Sequence, residues 1–312
     1  MNRHLHTALD CLKTACPGTW KSAKWLLKLM IPISLGVTML QCSGILEWIA
    51  GYLNPIFEYL GLPGASAVIF ISGATAGTYA GVAALMSIPL TLRQATILGI
   101  MMGLCHALPM ECTVNSKTGS SFWKMGVIRI LAAFVCALLL NQVLPEMSEP
   151  FMYLGADPDS GLKEVFQTWL ISQVKMVGMV FLIIYSLMVL QRVIEAYGWL
   201  RPLSDFLSPL MVVFGLPRKS AYMWLVGNVL GISYGAAVML ELQEKKLITA
   251  RDSNEVNYHL IMSHSLLEDT IVFAATGISA LWIIGSRVLF AMAVVWSRKA
   301  LLAAYKILIT LN

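Results

Sequence analysis

Charge is scarce in this chain. Only 12% of its 312 residues are Asp, Glu, Lys or Arg, about half of what a soluble domain carries. With 58% hydrophobic residues and a mean hydropathy of +0.73, it cannot cover itself with a polar surface. That excludes the soluble globular class and points to a bilayer. The six cysteines show no regular spacing and no CxxC pair, which excludes a disulfide framework and a zinc ribbon. Walker A, GxSxG and HExxH motifs are missing, so the chain is not expected to be an enzyme. The start, "MNRHLHTALDCLKTACPGTWKSAKW", has no short apolar core followed by a small-residue cleavage site. No cleaved signal peptide is therefore expected. The net charge of +5 is no nucleic-acid footprint, because the cations flank apolar spans as cytoplasmic loops require.

What is present is a succession of apolar stretches. A first span over residues 25–42 has Lys13, Lys21 and Lys24 before it and Lys28 in its first turn, cations that put the N-terminus in the cytoplasm. "GILEWIAGYLNPIFEYLGLPG" reads as an interfacial amphipathic helix ending in a Gly-Leu-Pro turn. "ASAVIFISGATAGTYAGVAALMSIP" is long enough to cross, and its small residues suit close helix packing. "ATILGIMMGLCHALPM" is short for a span. A further span covers residues 122–143, followed by an acidic, Pro-containing linker.

The second half repeats the first. Pro55/Pro209, Gly61/Gly215, Pro63/Pro217, Gly73/Gly227, Gly77/Gly231 and Gly81/Gly235 align at one offset. After a four-residue insertion, Thr91/Thr249, His106/His264, Glu111/Asp269, Gly119/Gly277 and Arg129/Arg287 continue it. Chance similarity between apolar segments would match Leu, Val and Ala, not His, carboxylate, Gly and Arg in register. The first copy runs from a Lys-rich end to the acidic linker, and the second from that linker to Arg298, Lys299 and Lys306. Each copy must then cross an odd number of times, in opposite senses. The expected fold is an all-α integral membrane protein of two inverted repeats. Each has about three transmembrane helices, a re-entrant helical hairpin at the "GLCHALP" stretch and an interfacial helix; the glycine-rich segment is the alternative hairpin. The parts are a cytoplasmic segment (1–21), repeat 1 (22–143), an extracytoplasmic linker (144–166), repeat 2 (167–300) and a cytoplasmic tail (301–312).

The Gly-Leu-Pro turn, the glycine-recurrent helix and "GLCHALP" together resemble the nucleoside recognition (Gate) domain. Two such units in one chain look like the membrane domain of bacterial ferrous-iron transporters and like spore maturation membrane proteins; concentrative nucleoside transporters carry a related unit. "GLCHALP" is similar to the iron transporters' Gly-x-Gly-Cys-x-x-Pro signature, with Cys105 at the cysteine and Pro109 one residue beyond the proline, whereas the second copy has Ser263 and Leu267 at the matching places. There is no G domain in this chain, so GTP coupling is not expected of it.

His106 and Glu111 are five residues apart, as are His264 and Asp269. On an unbroken helix that spacing separates them by about 140°; at a helix break both can converge on one point. Two imidazoles and two carboxylates, with Glu268 as a third acid and Cys105, Met110 and Cys112 as softer ligands, suit a first-row divalent cation. The competing reading has each histidine locking the repeat interface through backbone hydrogen bonds. Arg129 and Arg287 lie too deep to snorkel and are expected to form structural ion pairs with Glu111, Glu268 or Asp269. Asn115, Ser116, Thr118, Ser120, Ser121, Asn228, Ser233 and Tyr234 can hydrogen-bond a sugar or base. Gly73, Gly77, Gly81, Gly227, Gly231 and Gly235 are helix-packing positions.

The functional expectation is a transport protein of the cytoplasmic membrane moving a small polar solute through a midplane site between the repeats. A divalent cation is favoured, a nucleoside or related organic solute is the alternative, and a non-transporting assembly protein is the third reading. The expected partners are the lipid bilayer, the solute and a second copy of the chain. A bound divalent metal is the sole cofactor contemplated.

Overall fold

A chain that enters lipid must satisfy its backbone internally, and this one does so with helices. The computed structural model describes residues 2–155 and 161–310; linker residues 156–160 lie outside the described set. The first half comprises α1 (Asn2–Cys42), α2 (Ile45–Phe57), α3 (Ser66–Ala76), α4 (Thr78–Leu85), α5 (Leu92–Leu104), α6 (Leu108–Lys117) and α7 (Phe122–Val143). The second half has α8 (Leu162–Ala196), α9 (Leu200–Leu207), α10 (Leu210–Val213), α11 (Ala221–Val229), α12 (Ile232–Glu244), α13 (Ala250–Ser263), α14 (Leu266–Ala274) and α15 (Ala280–Thr310). Among the described residues, five stretches are long and apolar enough to cross a bilayer: His6–Cys42, Leu92–Lys117, Phe122–Val143, Leu162–Ala196 and Ala280–Ile309. This is an all-α membrane protein.

Two features differ from the sequence expectation. α1 starts well before the expected span and runs for 41 residues, about 60 Å at 1.5 Å per residue. The basic N-terminal stretch is therefore part of the same helix. The glycine-rich segment, expected to cross, is instead cut at Gly77 into helices of 11 and 8 residues. At about 16 and 12 Å neither can cross a hydrocarbon core of about 30 Å. Gly77 adopts φ 105° and ψ 174°, a region essentially open to glycine alone. The chain reverses there: a Cβ on Gly81 would stand 3.0 Å from the Cα of Gly73. Gly231, at φ 96° and ψ 167°, does the same between α11 and α12, and a Cβ on Gly235 would meet Gly227 Cα at 3.0 Å. The hairpins are thus the glycine-rich segments. "GLCHALP", expected to form a hairpin, is the interruption inside the Leu92–Lys117 stretch. Small residues four apart serve helix–helix packing and chain reversal alike, and hydropathy cannot separate the two.

The repeat is visible in the backbone. Positive φ recurs at the matched pairs Gly61/Gly215, Gly77/Gly231, Ala107/Ser265 and Gly119/Gly277. Matched capping boxes open α5 (Thr91 with Gln94) and α13 (Thr249 with Asp252), each satisfying orphan amides at a helix start. α2 turns Ile45, Trp48, Tyr52 and Ile56 outward, the apolar, aromatic stripe of an interfacial helix.

The chain forms two compact units, each drawing on both repeats. The first holds residues 1–108, 133–197 and 269–283. In it Ala15, Thr19, Ala23 and Met30 of α1 are buried, and Gly99 of α5 admits Ile278 and Phe273 so closely that a Cβ would lie 2.8 and 3.4 Å from them. The second holds residues 109–132, 198–268 and 284–312. Its core gathers Met211, Phe214, Leu216, Trp224, Leu225, Leu260 and Val295.

Because Gly77 and Gly231 occupy glycine-only backbone, Gly77→Ala and Gly231→Ala are each expected to destabilise by about 1–3 kcal/mol. Gly285→Ala, where an added Cβ meets nothing within 4 Å, is expected to be neutral. Thermal unfolding of the detergent-purified variants checks this; equal behaviour of all three would refute the reversal at Gly77 and Gly231.

Candidate functional site

In the first unit, α5 stops at Leu104 and the chain turns through Ala107 at φ 44°. A helix break inside a membrane protein leaves amides and carbonyls to be paired, and this one is held by one bond to α3 and one within the turn. Ala107 N–H donates to Gly73 O at 3.0 Å, and His106 Nδ1 contacts Met102 O at 2.9 Å. Only a donor can face a carbonyl, so Nδ1 carries a hydrogen. Nε2 looks at Asp269 Oδ2 across 3.8 Å, while Asp269 Oδ1 accepts the Thr78 hydroxyl at 3.0 Å. A separation of 3.8 Å is too long for a hydrogen bond. It is close to the spacing of two ligand atoms that each lie about 2.0–2.2 Å from one metal ion.

The second unit builds the matching arrangement with a different partner. Ser265 N–H donates to Gly227 O at 3.0 Å, and His264 Nδ1 donates to Leu260 O at 2.6 Å. His264 Nε2 stands 2.9 Å from Glu111 Oε2, the same oxygen that Arg129 Nη1 reaches at 2.5 Å. With Nδ1 occupied, Nε2 and the carboxylate would be two facing acceptors unless a proton or a cation lies between them. Arg129 and His264 are fully buried and Glu111 is 3% exposed, so the ion pair is desolvated and each partner requires the other.

Both arginines are fully buried. Arg129 Nη1 meets Glu111 Oε2. Arg287 uses its guanidinium on backbone, Nε to Met262 O at 2.9 Å and Nη2 to His264 O at 2.6 Å, capping the carbonyls exposed at the end of α13. Cys105 is buried at the close of α5 and Cys112 is buried on α6. Glu268 is half-buried, and Met110 is 53% exposed, pointing away from any buried ligand set. Among the hydroxyl and amide candidates, Thr118 and Ser120 both receive Asn257 Nδ2 at 2.8 Å, and Ser120 bonds Asn254. Ser116, Ser121, Ser233 and Tyr234 are exposed. Asn115 Nδ2 and Asn228 Oδ1 are buried without a hydrogen-bond partner among the described residues.

Sequence reasoning missed Thr78 and the His259 cluster. Trp224 Nε1 donates to His259 Nδ1 at 3.0 Å, and Ser263 Oγ lies 2.9 Å from the same nitrogen. The signal was present: these three polar positions stand where the first copy has Phe70, Met101 and Cys105. Thr78 was concealed because its neighbour Gly77 read as the interior of a continuous helix.

Broken helices carrying buried histidine–carboxylate pairs belong here to a polytopic all-α membrane protein. Residues 23–119 match the Gate family, described as nucleoside recognition. It is also similar to a protein named "Uncharacterized membrane protein YvoD" from Bacillus subtilis (strain 168). The two are 28% identical over 256 residues, covering 80% of this chain and 82% of that one. No solved structure gives a significant match.

Removing Arg129 would strand a buried carboxylate, so Arg129→Leu is expected to cost about 3–5 kcal/mol. The double variant Arg129→Leu/Glu111→Leu should recover much of that loss. Unfolding of the four proteins of this cycle in detergent measures the coupling; additive losses would mean that the pair is not coupled.

Proposed function

We propose that this protein is a transport protein, without enzymatic activity, that moves a divalent metal cation of the ferrous-iron type across the cytoplasmic membrane. The carrying observation is the His106–Asp269 pair. One ring nitrogen is tied to backbone, the other faces a carboxylate oxygen at 3.8 Å, and the pair is buried. Nitrogen and carboxylate oxygen together suit first-row divalent ions. Each histidine–carboxylate pair joins a histidine of one repeat to an acid of the other, as expected of a site between repeats. Buried ionisable groups at helix breaks are where transporters handle their cargo. Cys105 and Cys112 are neighbouring soft groups along the same chain segment.

The orientation follows from charge. Lys13, Lys21, Lys24 and Lys28 precede the apolar part of α1, Lys117 and Lys124 flank the turn between α6 and α7, and Arg298, Lys299 and Lys306 lie towards the C-terminus. With the glycine-rich segments as hairpins and α5–α6 and α13–α14 as interrupted crossings, each repeat crosses three times. All these cations then fall on the cytoplasmic side together with both termini, and the repeats are inverted.

A second reading, a nucleoside or related organic solute, is favoured by the description of the matching family and by the unfilled hydrogen-bonding atoms of Asn115 and Asn228.

Elemental analysis of the purified protein, with thermal unfolding in iron(II), manganese, zinc and magnesium, tests the cation reading. A transition metal is expected to stabilise the protein, with affinity lowered at least about tenfold by His106→Ala or Asp269→Asn. No metal dependence across the four ions would sink it. Stabilisation by nucleosides, lost in Asn228→Ala, would favour the second reading. If neither ligand binds and both histidines tolerate alanine, an assembly protein is the reading that survives.

A further inference from the structure

The seam between α1 and α8 in the first unit carries a polar cluster that the histidine–carboxylate pairs do not use. Ser34, Thr38 and Gln41 fall at i, i+4 and i+7 on α1, and Trp169 and Gln173 at i, i+4 on α8, so each set shares one helix face. All five are buried, with Gln41 and Gln173 only 7% and 6% exposed.

Following the hydrogens shows what the cluster lacks. The Ser87 hydroxyl donates to Ala83 O at 2.7 Å, so in its 3.2 Å contact with Ser34 the donor is Ser34. Ser34 Oγ in turn accepts Trp169 Nε1 at 3.3 Å and Gln173 Nε2 at 3.1 Å. The Thr38 hydroxyl donates to Ser34 O. Gln41 Nε2 donates to Ser87 O at 3.1 Å, and because a carbonyl accepts only a donor, the Gln41 amide cannot be turned round. The Gln173 amide is held the same way by a hydroxyl oxygen whose own hydrogen is committed. What remains is two acceptors: Gln41 Oε1 and Gln173 Oε1, both buried and without a hydrogen-bond partner among the described residues.

The surroundings favour positive charge. α1 ends at Cys42, next to Gln41, and α4 ends at Leu85, two residues before Ser87, and neither has a basic residue in its last turn. Helix C-termini carry partial negative charge that such residues would otherwise offset. The cluster contains no carboxylate, so its ligands are neutral oxygens, which suit one unit of charge; the cost of burying an ion rises steeply with its charge. A cavity of about 580 Å³ lined by Leu35, Thr38, Met39, Cys42, Val165 and Trp169, among others, shares Thr38 and Trp169 with the cluster and offers an approach to it.

We propose that Gln41 and Gln173 present their amide oxygens to an alkali-metal cation bound in the α1–α8 seam. The site is separate from the histidine–carboxylate pairs, and its test alters none of their residues. Thermal unfolding of the full purified chain is followed at constant ionic strength in N-methyl-glucamine, lithium, sodium or potassium chloride. At least one alkali cation should raise the midpoint saturably above N-methyl-glucamine, and Gln41→Leu/Gln173→Leu should lose that rise. Gln41→Glu, which adds a charged oxygen ligand, should keep the rise and reach half-effect at about tenfold lower concentration. Identical midpoints in all four salts, or an undiminished rise in the double variant, would overturn the proposal and leave ordered water as the occupant. Should the double variant fail to fold, Gln41→Glu decides: an unchanged half-effect concentration overturns it.

Discussion

Much of this structure depends on one local bond made twice: the imidazole Nδ1–H of a histidine given to the carbonyl four residues earlier, where a helix stops inside lipid. His106 gives it to Met102 and His264 to Leu260. Met102 O and Leu260 O also accept backbone amides, from Cys105 and from His264 itself, so the imidazole is a second donor that fixes the ring against the helix end. The bond selects the tautomer, and the tautomer decides what Nε2 can face. Ala107 and Ser265, non-glycine residues at positive φ, fit this picture, since their amides are held by Gly73 O and Gly227 O.

The duplicated break has diverged in its charges. His264 and Arg129 converge on one oxygen of Glu111, whereas His106 faces Asp269 across a longer gap and the other carboxylate oxygen takes the Thr78 hydroxyl. Arg129 binds a carboxylate and Arg287 caps helix carbonyls. In both copies a bond to backbone holds the ring in place through Nδ1, and Nε2 faces a carboxylate.

The membrane class, the repeat, the interfacial helix and the residues worth watching were legible in the sequence. Apolar runs, matched glycines and matched histidines are one-dimensional signals. The Arg129–Glu111 pair was legible as well, because a buried guanidinium in lipid demands a partner. Which segment reverses was not legible, since Gly73, Gly77 and Gly81 at four-residue spacing describe a packed span and a hairpin equally. Nor was the exchange of partners between repeats, in which His106 faces Asp269 while Glu111 serves His264: spacing says only which groups lie near along the chain. Cys105 and Cys112 were legible as candidates and are both buried, whereas exposed Met110 showed that residue type alone does not aim a side chain.

The sequence by itself determined that this chain lives in a bilayer, that it was built by duplication, and that each copy keeps a histidine, an acid and an arginine in register. Those are matters of composition and periodicity, and lipid enforces them through the cost of polar groups. Only the tertiary structure decided where the helices break, which carboxylate each imidazole meets and how far apart they stand. Those depend on φ at single residues and on contacts between segments more than a hundred residues apart, as between Thr78 and Asp269, and no local pattern encodes them.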